Sequence, residues 1–129
     1  MLLACVVVLC ASGCGSTPKT QSPTVSERAA VAAAVRSTVA LPARKHLHLD
    51  VVGIRIAHSD PHFAAAAFEP KNAQGQQVLD TAVVVLMQSG GRWTVVIGPG
   101  TDFPEECTQP TPKPVRELMC PNPFKILGV

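Results

Sequence analysis

His46-Leu47-His48-Leu49-Asp50-Val51-Val52-Gly53-Ile54-Arg55-Ile56 is the stretch that decides how this chain folds. Leu47, Leu49 and Val51 alternate with His46, His48 and Asp50, the two-residue period of a strand with one buried face. Ile54 and Ile56 continue the alternation in the opposite phase. A one-residue slip turns side chains to the other face, so the pattern predicts a bulge or kink at Val52-Gly53 within a single strand.

Toward the N-terminus the period becomes helical. Thr24-Val25-Ser26-Glu27 fits the capping box, in which the Thr24 hydroxyl accepts from the Glu27 amide and the Glu27 carboxylate reaches back. Val31, Val35 and Val39, with Ala32 and Val25 beside them, cluster on one side at helical spacing, and Arg28 falls near the same face. Pro42 predicts an end at about Ala40.

Toward the C-terminus the strands continue. Ser59-Asp60-Pro61 has turn chemistry. His62 to Glu69 then forms a second strand of low bulk, its alanines leaving room for a close neighbour, with the helix the natural one. Beyond the polar loop from Asn72 to Gln77, Val78 to Gln88 is apolar and β-branched, which suits a central strand. Ser89-Gly90-Gly91 predicts a hairpin turn, and Arg92 to Ile97 returns with Trp93, Val95 and Ile97 on one face. Gly98-Pro99-Gly100 is expected to break the sheet. In the Pro-rich tail, Pro114 can open a short helix through Val115-Arg116-Glu117-Leu118-Met119, and Phe124 and Ile126 are expected to dock on the sheet. The expected fold is therefore α+β, an N-terminal helix across one face of a four-stranded antiparallel meander. This order of elements is similar to the cystatin-like roll, a resemblance that carries no function with it.

Leu2 to Leu9 form an apolar run ahead of Ala11-Ser12-Gly13-Cys14, and Gly15 to Pro23 follow without bulk to bury. The run is too short to span a bilayer and has the length of a signal h-region. With small residues before a cysteine, the site resembles the bacterial lipobox. Ala11 stands where Leu is usual, and no Lys or Arg precedes Leu2, which leads us to expect a start codon upstream of Met1. The resemblance implies that residues 1–13 are a signal peptide, that Cys14 is the lipidated amino terminus, and that residues 14–23 are a flexible tether to a single domain over 24–129. The protein is then expected on the extracytoplasmic face of the cell membrane, held there by its lipid.

Under that resemblance Cys5 and Cys10 leave with the signal peptide and Cys14 carries lipid, so Cys107 and Cys120 remain. In an oxidising compartment such a pair is most simply a disulfide, here a staple for the Pro-rich tail.

Composition narrows the function classes. The 129 residues suit one domain, and a formal charge of +2 with both signs interspersed argues against nucleic acid as a partner. The absence of Tyr and the single Trp remove the usual stacking platforms, and Trp93 is expected to pack in the core. There is no Gly-x-Ser-x-Gly elbow and no phosphate-binding Gly loop, so neither catalysis nor a cofactor is expected.

His46, His48 and Asp50 share a strand face at a spacing able to hold zinc or copper, with His58 and His62 as further ligands across the next turn. The pattern partly resembles the His-x-His-x-Asp of metallo-hydrolases, although Val51 stands where that family has its next His. A solvated sheet face gives the same alternation, and that is the preferred reading. Asp60 and Asp80 are not expected to form a catalytic pair, because Asp60 is placed to bond local backbone. Leu118-Met119-Cys120-Pro121 resembles the Met-Cys-Pro segment beside the inhibitory loop of subtilisin inhibitors, which implies an extended, disulfide-pinned protease decoy. The chain is thus expected to be a lipid-anchored, non-catalytic binding domain for an envelope protein or ligand, with metal binding and protease inhibition as alternatives.

Overall fold

The computed structural model describes residues 19–39, 46–103 and 105–129, except the side chains of 105 and 106. The lipobox with Cys14, and Pro42, lie outside the described residues. In chain order the elements are β1 (Thr20–Gln21), α1 (Val25–Thr38), β2 (His48–Ala57), β3 (Phe63–Lys71), β4 (Ala82–Ser89), β5 (Arg92–Gly100), α2 (Glu105–Thr108), α3 (Lys113–Met119) and α4 (Pro123–Leu127). The strands form one antiparallel five-stranded sheet in the order β1-β2-β3-β4-β5.

The fifth strand corrects the expectation of four. It comes from Thr20–Gln21, inside the segment assigned to the tether, and pairs with Ala57 and Ile56. An edge strand needs backbone partners rather than apolar side chains, so a polar dipeptide can form one. Arg55 adds side-chain ties, donating from Nε to Thr20 Oγ1 at 3.0 Å, from Nη2 to the Thr20 carbonyl at 3.1 Å and from Nη1 to Ser22 Oγ at 2.8 Å.

The predicted bulge is present in β2. Val51 faces Phe68 while Gly53 faces Ala67, which leaves Val52 as the extra residue, exposed to solvent. The consequence is what makes the sequence intelligible: Leu49, Val51, Ile54 and Ile56 all point into the same core despite their change of phase. Facing them, Val31 and Val35 of α1 are fully buried. Both halves of the capping box form, with Glu27 N to Thr24 Oγ1 at 3.1 Å and Thr24 N to Glu27 Oε1 at 2.9 Å. Val25 departs from the expected face and is 88 % exposed. At about 100° per residue it lies roughly 120° around the helix from Val31.

The alanines of β3 serve both sides of the sheet rather than the helix alone. Ala64 and Ala66 lie under α1, whereas Ala65 and Ala67 pack with Val83, Val85 and the residues Val115, Leu118, Met119 and Leu127 of α3 and α4. Short side chains let helices approach both faces. Gly53 serves the same purpose on the α4 side, where an added Cβ would stand 2.7 Å from the Leu127 carbonyl oxygen. Phe124 docks as expected, but Leu127 takes the buried place expected for Ile126, because residues 123–127 coil into a helix capped by Asn122 and closed by left-handed Gly128.

At the other edge, Gly90 and Gly91 both have positive φ and form the two-residue hairpin turn. Beyond it β5 differs from expectation twice. Leu86 faces Val95 but Val85 faces Ile97, so Val96 is an extra residue and Ile97 turns to the α3 side, away from Trp93 and Val95. The strand also continues through Gly98-Pro99 to Gly100, which pairs with Val83. Proline's missing N–H is tolerated because β5 is a sheet edge.

Candidate functional site

Polar side chains converge at the end of the sheet where β1 begins and β2 ends. The backbone N–H of His58 donates to the Lys19 carbonyl at 3.0 Å and holds these two segments together. Just beyond, Ser59 donates to Glu117 Oε1 twice, from its amide at 2.9 Å and its hydroxyl at 2.6 Å. This ties the turn after β2 to α3. Glu117 is only 9 % exposed, the one charged residue among the buried positions described.

Around that carboxylate lies an open cleft lined by Lys19, His58, Ser59, Lys113, Arg116 and Cys120. A second groove adjoins it, sharing Lys19, Glu117 and Cys120 and extending to Asn122, Lys125 and Ile126. The side chains of Lys19, Lys113, Arg116 and Lys125 are exposed, and among the described residues none forms an ion pair. Lys113 and Arg116 sit three residues apart and so share one side of α3, while Val115, Leu118 and Met119 face the sheet.

Burial works to raise the pKa of Glu117, but the hydroxyl and amide of Ser59 outweigh it, with attraction from Lys113 and His58, and hold the carboxyl below the ordinary glutamate value of 4.5. A depressed native pKa contributes stability above the unfolded value, and that stability is lost as pH falls through the native one. Glu117→Gln is therefore expected to cost about 1.5–3 kcal/mol at pH 7, the scale of hydrogen bonds to a charged acceptor. The deficit should shrink as pH drops below 4.5. Urea unfolding of both proteins at neutral pH and at successively lower pH measures it; a gap that stays constant over this range would refute the assignment.

Among the described residues no hydrogen-bonded Ser-His relay forms at this position. Ser59 is a donor to Glu117, and among the described residues no hydrogen bond joins the His58 ring to either. The cleft is suited instead to attracting anions, with a single carboxylate held beneath its cationic rim.

The predicted metal residues are arranged differently. His46 and His48 are exposed, and Asp50 accepts from Lys71 Nζ at 2.7 Å, with Glu69 3.5 Å from the same ammonium. The Lys71 hydrogen bond overcomes desolvation to lower the pKa of Asp50, and Asp50 in turn raises that of Lys71. Extended β2 puts His58 about 30 Å from His48, which removes it from any shared site. His62 Nδ1 lies 2.9 Å from Asp60 Oδ1, which also accepts from the His62 amide at 3.0 Å, the local role expected for that aspartate. Among the described residues no group of three or more His, Cys, Asp or Glu side chains is placed to hold a metal ion.

Cys107 and Cys120 form the expected disulfide. The segment between them corrects the picture of an extended decoy loop: residues 113–119 are helical, and Leu118 and Met119 are fully buried. Their apolar side chains complete the second core instead of facing a protease.

Sequence reasoning missed Lys19, Lys113, Arg116, Lys125 and Glu117 as a group. The local signal was the three-residue spacing of Lys113 and Arg116 on either side of the helix-opening Pro114; nothing linear connects them to Lys19.

Fold and site together define a small α+β domain, a meander sheet covered by helices on both faces, with a cationic cleft at one end. No protein family, curated protein or solved structure matches the chain.

Proposed function

We propose that this is a lipid-anchored, non-catalytic binding domain on the extracytoplasmic face of a bacterial cell membrane, tethered through Cys14 and serving an envelope protein or ligand. The observation that carries the reading is the order Ala11-Ser12-Gly13-Cys14 behind a short apolar run. A lipid on Cys14 supplies an attachment that no described helix supplies, since none is long and apolar enough to cross a membrane. The Cys107–Cys120 disulfide suits an oxidising compartment. Two or more acyl chains hold a protein firmly where one gives marginal binding.

The cystatin-like description of the fold belongs to this reading too. Its support is α1 lying on one face of strands that follow it consecutively, and α3 and α4 on the other face are additions to that order. The metal and inhibitor alternatives gain no comparable support, because Asp50 is committed to Lys71 and Met119 is buried.

Metabolic labelling with palmitate tests the anchor. The wild-type chain is expected to incorporate label and to yield a mature protein beginning at acylated Cys14, while Cys14→Ser incorporates none. An unmodified Cys14 thiol, or residues 1–13 still attached, would overturn the proposal.

A further inference from the structure

We infer that the face formed by Lys19, Lys113, Arg116 and Lys125 is the surface this domain lays against anionic phospholipid headgroups. Two independent observations lead there. The first is charge: the four side chains are exposed around two adjoining grooves and, among the described residues, lack ion-pair partners. The one carboxylate lining both grooves, Glu117, lies beneath the rim and is bound by the Ser59 amide and hydroxyl, so it is withdrawn from the exposed surface that the four cations form. The second is chain length. Lys19 follows Cys14 by five residues, a span of at most about 18 Å even when fully extended.

An anchor that short places this end of the sheet next to the bilayer. Cations within about a Debye length, roughly 8 Å at physiological salt, feel an anionic surface strongly. The connection of Lys19 to the sheet through His58 keeps the rim and the anchor at the same end of the domain. Lipid and charge then act as paired signals. With α3 and α4 turned toward the headgroups, α1 on the opposite side of the sheet is left facing outward.

This inference relies on the lipid anchor for its place in the cell, but its test reads the surface alone. The full-length Cys14→Ser chain is sedimented with vesicles of phosphatidylcholine, or of phosphatidylcholine with an equal share of phosphatidylglycerol. Any contribution of residues 1–13 is common to all variants. Binding to the anionic vesicles should exceed binding to the neutral ones by at least about tenfold at low salt, on the basis of roughly fivefold per cation, and should vanish in high salt. Lys113→Glu with Arg116→Glu should abolish the preference, whereas Arg28→Glu, on exposed α1, should leave most of it. Equal binding to both vesicles overturns the inference, as does an equal loss from Arg28→Glu, which would mean net charge rather than this face. Failure here alongside palmitate on Cys14 removes the docking surface and leaves the anchor standing; success without palmitate does the reverse.

Discussion

Replacing both Cys107 and Cys120 with serine is expected to lower the free energy of unfolding by about 3 kcal/mol, the chain-entropy value for a closed loop of this size. The bridge spans 13 positions of sequence. What it closes contributes unequally to the fold: α3 is held by Val115, Leu118 and Met119 in the second core, but α2 is a single turn. An isolated turn of helix is unstable in water because its nucleation is unfavourable. Loss of the bridge should therefore release α2 first and leave α3 docked. Hydrogen exchange on the double variant is expected to show lost protection around residues 105–109 with β3 and β4 still protected. An unfolding midpoint unchanged from wild type would contradict the assigned contribution.

The largest expected single-site effect is at Phe68. It is fully buried, lies opposite Val51 at the bulge and opposite Ala82 on the other side, and belongs to the core under α1. Phe68→Ala is expected to destabilise by about 3–5 kcal/mol, toward the upper end because the site cannot close up. Its strand is pinned by ladders on both sides, and Ala66 and Ala82 have no length with which to fill a void. With total stabilities of about 5–15 kcal/mol for a domain of this kind, the variant should sit near the edge of folding. Phe68→Leu restores most of the volume and should recover most of the loss. Urea midpoints for the two variants measure this; equal midpoints would show that the cavity is not the cause.

Each element that was legible in advance depends on neighbours within a few residues. The Thr24 and Glu27 exchange closes over one helical turn, the two glycines of the β4–β5 hairpin set its turn, and the change of phase in β2 reports its own bulge. The pairing of Cys107 with Cys120 followed from compartment and elimination rather than geometry. By contrast Thr20 and Gln21 look like tether because nothing local marks them as a strand; their partners, Ala57 and Ile56, are supplied by a distant segment. Ile97 lies on the face opposite to the one its spacing from Trp93 and Val95 predicts for a related reason, since an extra residue at Val96 leaves no interruption in the apolar pattern.

Amino-acid order alone determined α1, the bulged β2 and the meander of its successors, because backbone geometry, capping and turn chemistry act over short separations. Folding in three dimensions decided that the sheet has a fifth strand, that its alanines serve helices on both faces, and that Lys19, Lys113, Arg116 and Lys125 surround one buried carboxylate. Those outcomes depend on which surfaces meet. Electrostatic and packing energies are set by distances in space, and chain positions from 19 to 125 acquire such distances only when the sheet and its covering helices close together.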